Sequence, residues 1–346
     1  MDRKTTLLYY LRDISPFISI VIKYDYSFNR IFTKIRDKVE IGPSHAVTFE
    51  DKIVIDHGKN IKIFDIERNF IRIRIHKDII LYLGLLSNNN IVSASQDQSV
   101  RIWNPKTEEE VFSITFGSMP RSFIILPNDI IVIGFHNGDI RLLERYNTSR
   151  LRGHIDSVSC FGIININTIV SGSFDGDLRI WDIENEECTH ILKGHYSFVM
   201  KLIVIKNKII SGDENGDIII WNSQTGELES ILKGHDHKIS LLYAVDDNII
   251  ISSDASGKTF LWDLKTKTVK HVIKLNDVSE ITSIITLPYG NLVIGTNTPI
   301  LYLYNPQNGK IIDELNTQNE YTIKLLLLSD NRFVNVTYDG EIIIWE

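Results

Sequence analysis

Short apolar segments recur along this chain at a nearly constant interval, and each one ends on an aromatic or large apolar residue. Examples are VRIWN at 100–104, LRIWD at 178–182 and IIIWN at 218–222. The eight end residues are 38 to 42 positions apart, and an interval held over seven steps indicates tandem structural repeats. The end residues are Phe64, Trp103, Leu143, Trp181, Trp221, Trp262, Tyr304 and Trp345.

Polar and apolar positions also follow a constant order within each interval. A cluster of turn residues lies about 15 positions before each end residue, and an apolar run such as TIVSGS (168–173) follows it. A second turn comes next, often Asn-Gly or Asp-Gly as at 215–216 and 175–176, and an alternating segment leads to the end residue. Glycine adopts the positive φ that tight hairpins need, so the pattern predicts four short β-strands per repeat and an all-β protein.

Composition narrows the class of protein. Hydrophobic residues make up 43% of the 346-residue chain and charged residues 23%, which is typical of a globular protein with a large core. The formal net charge of −7 argues against a nucleic-acid or membrane partner, because both bind basic faces. Cys160 and Cys188 are too few for a disulfide framework and indicate a reducing compartment.

The sequence carries no strong membrane or secretion signal. No apolar run reaches the ~18–20 residues that a membrane-spanning helix needs. The apolar stretch at 14–22 follows Arg12 and Asp13 and lacks a small-residue cleavage site, so we expect that it is not a signal peptide. A cytoplasmic location is therefore expected, with the nucleus as the alternative.

Gly-His pairs supply a more specific signal. They occur at 153–154, 194–195 and 234–235, and each histidine lies 26 or 27 residues before a tryptophan. With the Trp-Asp dipeptides at 181–182 and 262–263, the chain resembles the WD-repeat (WD40) family over roughly residues 29–346. The resemblance implies a closed β-propeller of four-stranded antiparallel blades. The isoleucine- and asparagine-rich composition is also similar to that of WD-repeat proteins from giant DNA viruses and AT-rich protists, which would imply the host cytoplasm.

The resemblance also implies a hydrogen-bonded set inside each blade, with a His, a Ser or Thr, a Trp, and an Asp six residues before the Trp. The most complete set is His154, Asp175 and Trp181 with Ser171 or Ser173 as the hydroxyl. Because such residues recur with the repeat, we interpret them as structural and not as a catalytic triad. The other members are His76, Asp97, Trp103, His195, Trp221, His235 and Trp262. Asn215 and Ser256 occupy the Asp position in two repeats, and blades without the His and Asp are expected to depend mainly on apolar packing.

Eight end residues predict eight blades, and seven blades, with 44–75 as an irregular extension, is the alternative. The last end residue lies one position before Glu346, so the last blade lacks an outer strand. Residues 30–39 alternate in polarity and are predicted to supply that closing strand. The leading segment, 1–28, has leucines at near-helical spacing and is predicted to form a short amphipathic helix.

Functional residues on this fold are expected in the loops, because the strands form the core. The family resemblance places two residues per repeat on the top face, one seven positions before the Trp and one about five after the His. Aromatic, Met and Arg side chains among them are typical of interface cores. The candidate partner-binding residues are His57, Gln96, Arg121, His136, Phe174, Met200, Glu214 and Tyr338.

These residues favour a non-enzymatic scaffold that binds a protein or peptide. The alternative is a substrate-recognition subunit of a ubiquitin ligase or a similar complex, which a basic top-face pocket would favour. An enzyme would need acid, base or metal-binding residues lining the channel, and the sequence offers no such cluster. No cofactor, metal, small-molecule substrate, nucleic acid or membrane is expected as a ligand.

Overall fold

The described part of the chain is built entirely from β-strands in eight sheets. The computed structural model describes residues 30–31, 45–49, 52–65, 70–74, 76–275, 278, 280–317, 321–328, 330–338 and 342–345. These residues form 32 strands in eight four-stranded antiparallel sheets, and no helix occurs among them. The all-β, eight-bladed propeller is thereby confirmed, and the seven-blade alternative is wrong. The predicted helix at 1–28 and residues 32–39 lie outside the described residues.

Strands are numbered along the chain, and each blade runs from the channel outward in strand order. Blade 1 holds β2 (Ala46–Phe49), β3 (Lys52–His57), β4 (Asn60–Asp65) and β5 (Phe70–Arg74). Blade 2 holds β6 (Ile80–Leu85), β7 (Ile91–Ser95), β8 (Ser99–Asn104) and β9 (Glu109–Thr115). Blade 3 holds β10 (Pro120–Ile125), β11 (Ile131–Phe135), β12 (Ile140–Glu144) and β13 (Asn147–Leu151). Blade 4 holds β14 (Val158–Asn165), β15 (Thr168–Ser173), β16 (Leu178–Asp182) and β17 (Glu187–Leu192).

The remaining blades follow the same plan except at the last outer strand. Blade 5 holds β18 (Val199–Ile205), β19 (Lys208–Asp213), β20 (Ile218–Asn222) and β21 (Leu228–Leu232). Blade 6 holds β22 (Ile239–Ala244), β23 (Ile249–Asp254), β24 (Thr259–Asp263) and β25 (Thr268–Ile273). Blade 7 holds β26 (Ile281–Thr286), β27 (Leu292–Thr296), β28 (Ile300–Asn305) and β29 (Lys310–Asn316). Blade 8 holds β30 (Thr322–Leu327), β31 (Phe333–Thr337), β32 (Ile342–Trp345) and β1 (Arg30–Ile31).

Blade 8 joins the two ends of the repeat array. β1 pairs antiparallel with β32, with Arg30 opposite Trp345 and Ile31 opposite Ile344. The outermost strand of this sheet therefore comes from a point in the chain before blade 1. The ring is closed by backbone hydrogen bonds between these two segments.

Eight separate apolar clusters hold the ring together, one between each pair of adjacent blades. The cluster between blades 3 and 4 contains Leu142 and Trp181, and the cluster between blades 8 and 1 contains Val334 and Ile53. Every end residue of the repeat is buried, at 7% exposure or less, and packs against the preceding blade. The repeat in the sequence is therefore the repeat of the inter-blade interface.

The position of a strand in its blade explains its sequence. The second strand β11 is buried along its whole length between the neighbouring sheets, so it reads as a continuous apolar run. The outer strand β17 alternates between exposed and less exposed positions because solvent covers one face. We define the top face as the end that carries the turns between second and third strands and the connections from one blade to the next.

Candidate functional site

The first candidate site is the hydrogen-bonded set in blade 4. Nδ1 of His154 lies 2.8 Å from a carboxylate oxygen of Asp175, and its Nε2 lies 2.7 Å from Oγ of Ser171. The indole N–H of Trp181 donates to the same Oγ at 2.7 Å. The ionised carboxylate of Asp175 can only accept, so the proton of the imidazole lies on Nδ1, and Nε2 is left to accept from the hydroxyl of Ser171. Sequence reasoning left Ser171 and Ser173 open, and the structure places Ser171 in the set.

Asp175 carries the charge of this set. Burial alone would raise the pKa of its carboxyl, but the hydrogen bond and charge of His154 and two backbone N–H donors lower the pKa to about 2. Asp97 in blade 2 behaves in the same way, with burial opposed by donors from Ser99 and Lys77, and its pKa is also about 2. Both carboxylates are ionised hydrogen-bond acceptors at neutral pH.

Blade 5 contains a complete set in which the carboxylate comes from an unexpected position. Nδ1 of His195 lies 2.9 Å from Asp213, its Nε2 lies 2.6 Å from Ser211, and Trp221 donates to Ser211 at 2.8 Å. The expectation that Asn215 leaves this repeat without a carboxylate is wrong. Asp213 lies two residues earlier, at the end of β19, and its Oδ1 accepts the backbone N–H of Asn215.

Blade 6 repeats this arrangement. Asp254 lies 2.9 Å from Nδ1 of His235, Ser252 lies 2.6 Å from its Nε2, and Trp262 donates to Ser252 at 2.7 Å. The backbone N–H and hydroxyl of Ser256 both donate to Asp254. Sequence reasoning missed Asp213 and Asp254, although Ser-x-Asp at 211–213 and 252–254, in place of Ser-x-Ser at 171–173, was a readable signal.

The set in blade 2 lacks one link. His76 lies 3.0 Å from Asp97 and 2.8 Å from Ser93, so the histidine is held as in the other blades. The buried indole N–H of Trp103 makes no hydrogen bond to the described residues. The structure therefore brings together His76, Asp97 and Ser93 but does not connect Trp103 to them.

These four sets have the geometry of structural supports. All four imidazole side chains are fully buried, at 0% exposure, and they lie in four different blades. Burial lowers the pKa of His76 and His235 against the opposing effect of the carboxylates. Each hydroxyl is already engaged with a buried histidine, and no substrate reaches a fully buried side chain. Among the described residues, no group of three or more His, Cys, Asp or Glu is arranged to hold a metal ion.

The second candidate site lies in the turns at the top face. In blades 2 to 8, the backbone N–H of the first residue after the second strand donates to the carbonyl oxygen of the residue directly before the inner strand. Phe174 donates to Ser157 at 2.9 Å, Glu214 to Phe198 at 3.0 Å and Tyr338 to Tyr321 at 3.1 Å. Gln96 and His136 make the same bond in blades 2 and 3, so these residues occupy equivalent positions.

His57 does not belong to this group, contrary to the prediction. In blade 1, Ile53 pairs with Phe64, 11 residues later, whereas in blade 4 Ile169 pairs with Trp181, 12 residues later. The hairpin of blade 1 is therefore one residue shorter, and His57 remains in the strand, paired with Asn60. The residue seven positions before the end residue lies in the turn in the other blades, but in blade 1 it lies in β3.

Side chains from three adjacent blades meet on the top face. The guanidinium carbon of Arg121 lies 5.3 Å from the ring centroid of Phe174. The ring of Phe174 stacks on that of Phe198, with centroids 4.7 Å apart and planes 13° apart. In the connections that lead into blades 5 and 4, Tyr196 is 95% exposed and Ile155 is 87% exposed. We call these five residues the top-face patch.

The other predicted top-face residues do not join this stack. Met200 is half-buried on β18, two residues after Phe198, and Glu214 accepts a hydrogen bond from Ser197 at 3.3 Å. Tyr338 stacks on Tyr321 in blade 8, with centroids 4.7 Å apart. Gln96 and His136 lie in the equivalent turns of blades 2 and 3. Sequence reasoning missed Phe198, Tyr196 and Ile155, and the signal for the last two was an apolar or aromatic residue directly after the Gly-His pairs at 153–154 and 194–195.

Comparison with known proteins finds WD40 repeats in two segments of the chain. A family model described as "WD40: WD domain, G-beta repeat" matches residues 71–104 and 145–182, which include the complete sets of blades 2 and 4. The chain is 37% identical over 94 residues to "WD repeat-containing protein pop2" of Schizosaccharomyces pombe, covering 27% of this chain and 13% of that protein. It is 30% identical over 129 residues to a guanine nucleotide-binding protein subunit beta of Lymnaea stagnalis, covering 33% and 36%.

Solved structures show the same fold. The computationally designed Ika8 protein superposes with a TM-score of 0.78 at 24% identity, covering 89% of this chain and 98% of that one. The WD40 β-propeller domain of Doa1 superposes with a TM-score of 0.60 at 17% identity, covering 89% and 97%. The molecule is thus a closed β-propeller with a repeated histidine–serine–aspartate set in its blades. Residues 71–104 and 145–182 match the WD40 repeat, and the compositional similarity to viral and protist proteins stays a prediction.

WD40 propellers generally act as scaffolds for protein interactions. No helix in the part of the chain that the structure describes is long and apolar enough to cross a membrane.

Proposed function

We propose that this chain is a non-enzymatic interaction scaffold that binds a protein partner through the top-face patch. The observation that carries the proposal is the convergence of Arg121, Phe174 and Phe198 from three blades on the top face, where the connections between blades also expose Tyr196 and Ile155. Aromatic and arginine side chains contribute most of the energy at protein interfaces.

The backbone supports this use of the patch. The turn that carries Phe174 is fixed to the start of the inner strand by the bond to Ser157, and the turn of Glu214 is fixed to Phe198 in the same way. Side chains presented from such turns lose little conformational freedom on binding, which reduces the cost of association. The aromatic stack holds Phe174 and Phe198 in one orientation before a partner arrives.

Two other functions receive less support. A catalytic use of the histidine sets conflicts with their complete burial and their repetition in four blades. A role as a substrate-recognition subunit of a ubiquitin ligase stays a prediction. That role would be a special case of the scaffold proposed here, with the same patch as the contact surface.

Substitution of the patch tests the proposal. In affinity purification from cells of the source organism, a Tyr196→Ala, Phe198→Ala double variant should lose partners that the unchanged chain captures. With a purified partner, the two changes together should weaken binding by about 30-fold or more, because each truncates a central aromatic contact.

A matched control distinguishes the patch from aromatic surface in general. Tyr289 is 67% exposed and lies in the turn between β26 and β27, at the opposite face. Tyr289→Ala should therefore leave binding unchanged. Equal capture by the double variant and the unchanged chain, with the same circular dichroism spectrum, would contradict the proposal.

A further inference from the structure

The hairpin between β12 and β13 of blade 3 is shorter than the equivalent hairpins of other blades. Glu144 pairs with Asn147, so Arg145 and Tyr146 alone form the turn. Both have a positive φ, 45° and 75°, in a turn that favours Asn and Gly. In blades 2, 4, 6 and 7, four residues separate the paired ends of the third and fourth strands. The hairpin lies on the face opposite the top face, which we call the bottom face.

The short turn leaves a pocket between blades 2 and 3. In the longer hairpins, the first residue after the third strand is buried, and in blade 4 this residue, Ile183, packs in the cluster between blades 3 and 4. The equivalent residue of blade 3 is Arg145, which is exposed. A pocket of about 260 Å³ lies at this position between blades 2 and 3. Its apolar lining consists of Leu86, Ile102, Ile131 and Leu143.

Contacts between the two blades fix the walls of this pocket. The ring of Tyr146 lies against that of Phe112 on β9, with centroids 4.9 Å apart. Asp129 of blade 3 accepts hydrogen bonds from the backbone N–H of Ser87, at 2.8 Å, and from its hydroxyl. The pocket is therefore formed before a ligand arrives, which lowers the cost of binding.

A larger groove lies on the other side of the same hairpin, between blades 3 and 4. Its volume is about 540 Å³, and its apolar floor consists of residues from the cluster between these blades, Ile130, Leu142 and Ile183. Three carboxylates line it, from Glu144, Glu184 and Glu186. Glu144 lines the pocket as well, so the groove and the pocket adjoin.

The carboxylates of the groove have no counter-charge. Glu184 accepts a hydrogen bond from Asn167 at 3.4 Å, and none of the three forms an ion pair with a described residue. No Lys, Arg or His lines the groove. The described residues contain no group of three or more acidic or other metal-binding side chains arranged to hold a metal ion. Side-chain cations fit this arrangement better, because an ammonium or guanidinium group offers several donors to separate carboxylates.

We propose that the bottom face of blade 3 binds a basic peptide segment of a partner protein. A Lys or Arg side chain lies in the groove between blades 3 and 4, with its stem on the apolar floor and its charge among the carboxylates. A neighbouring aliphatic side chain fills the pocket between blades 2 and 3, where the other blades supply a residue of their own. The inference does not depend on the proposed function, because no residue of the top-face patch belongs to this site.

Selection of short random peptides displayed on phage tests this site. The immobilised target is the full chain with Tyr196→Ala and Phe198→Ala, which removes aromatic contacts of the top-face patch. Enriched sequences should carry Lys or Arg close to Ile, Leu or Val. The most enriched peptide is then synthesised with a fluorescent label, and its affinity for the unchanged chain is measured by anisotropy.

Substitution of the carboxylates locates the basic side chain. The triple variant Glu144→Gln, Glu184→Gln, Glu186→Gln should weaken binding of this peptide by about tenfold or more, because it removes three attractions. The matched control makes the same change of charge at exposed glutamates of the same face that do not line the groove, and it should leave binding unchanged. This control is Glu108→Gln, Glu109→Gln, Glu187→Gln.

A second pair of measurements locates the aliphatic side chain. A twin peptide with Ala at that position should bind about tenfold more weakly, because it leaves the pocket unfilled. Asn90 lines the pocket, so Asn90→Trp should weaken the parent peptide and leave the twin unchanged. Enrichment of sequences without basic residues, or equal binding of the peptide by the folded triple variant and the unchanged chain, would overturn the proposal.

Discussion

The serine of each histidine set links two buried groups that could not remain unpaired without cost. Ser171 accepts from Trp181 and directs its own proton to His154, so one hydroxyl satisfies an indole and an imidazole. A buried polar group that loses its partner costs about 1–3 kcal/mol. These sets therefore stabilise the blades in which they occur, and their residues contribute to stability and not to chemistry.

At the same scale, the carboxylate of blade 5 can be assigned by substitution. Asp213→Ala should lower the free energy of unfolding by about 2 kcal/mol, because it leaves the buried Nδ1–H of His195 unpaired. Asn215→Ala should cost less than about 0.5 kcal/mol, because Asn215 is exposed and contributes a backbone donor to the set. Urea denaturation followed by fluorescence measures both. A larger loss for Asn215→Ala than for Asp213→Ala would show that Asp213 is not the acceptor that holds His195.

The pKa of Asp175 predicts a dependence of stability on pH. Its folded-state pKa of about 2 lies below its ordinary value of 3.8, so the ionised carboxylate stabilises the folded state. This contribution is fully present above the unfolded-state pKa and is lost as the pH falls from about 5 through 2. Asp175→Asn should therefore reduce the decline of the unfolding free energy over this range.

Urea denaturation at a series of pH values between 7 and 2 measures this decline, and the exposed Glu186→Gln serves as the control. The control should follow the unchanged chain. An Asp175→Asn variant with the same acid dependence as the unchanged chain would show that this carboxylate carries no such linkage.

At the scale of single elements, the turns between strands fix the geometry of the top face. Gly216 adopts φ of +90° in the turn after β19, and a Cβ there would lie 2.9 Å from the carbonyl oxygens of His235 and His237. This glycine therefore allows the turn of blade 5 to contact the connection that leads into blade 6. The contact therefore joins the turn that follows Asp213, in the histidine set of blade 5, to His235, in the set of blade 6.

A pair of glycine substitutions separates the effect of φ from that of the contact. Gly290 has φ of +84° with no atom within 4 Å of a Cβ, so Gly290→Ala should cost about 1 kcal/mol from backbone strain alone. Gly216→Ala should cost clearly more, because it also displaces two backbone carbonyls. The unfolding midpoints of the two variants in urea measure the difference, and equal midpoints would exclude a close contact at Gly216.

The strands and the closed ring could be predicted from the sequence because the same interface between adjacent blades recurs around the ring. Each end residue, such as Trp181, packs on the preceding blade, so the interface imposes its period on the chain. The shorter turn of blade 1, which leaves His57 in β3, was missed because one residue fewer in a turn leaves the pattern of strands intact. Phe198 and Tyr196 were missed because residues between strands follow no hydrophobic period, and the stack on Phe174 depends on packing between blades.

At the scale of the whole molecule, closure of the ring decides how the faces are presented. The cluster between blades 8 and 1 contains Val334 and Ile53, and β1 adds backbone pairing to β32 within blade 8. Each blade then contacts two neighbours, and the loops keep fixed relative positions. The top-face patch depends on this, because it uses residues from several blades.

Hydrogen exchange in blade 8 tests closure most directly. In the full chain, amides of Ile342–Trp345 should be protected by pairing with strands on both sides. In a chain that lacks residues 1–31, these amides should exchange about tenfold faster or more, while those of the equivalent strand Ile218–Asn222 in blade 5 should be unchanged. Equal exchange of Ile342–Trp345 in the two chains would contradict closure through β1.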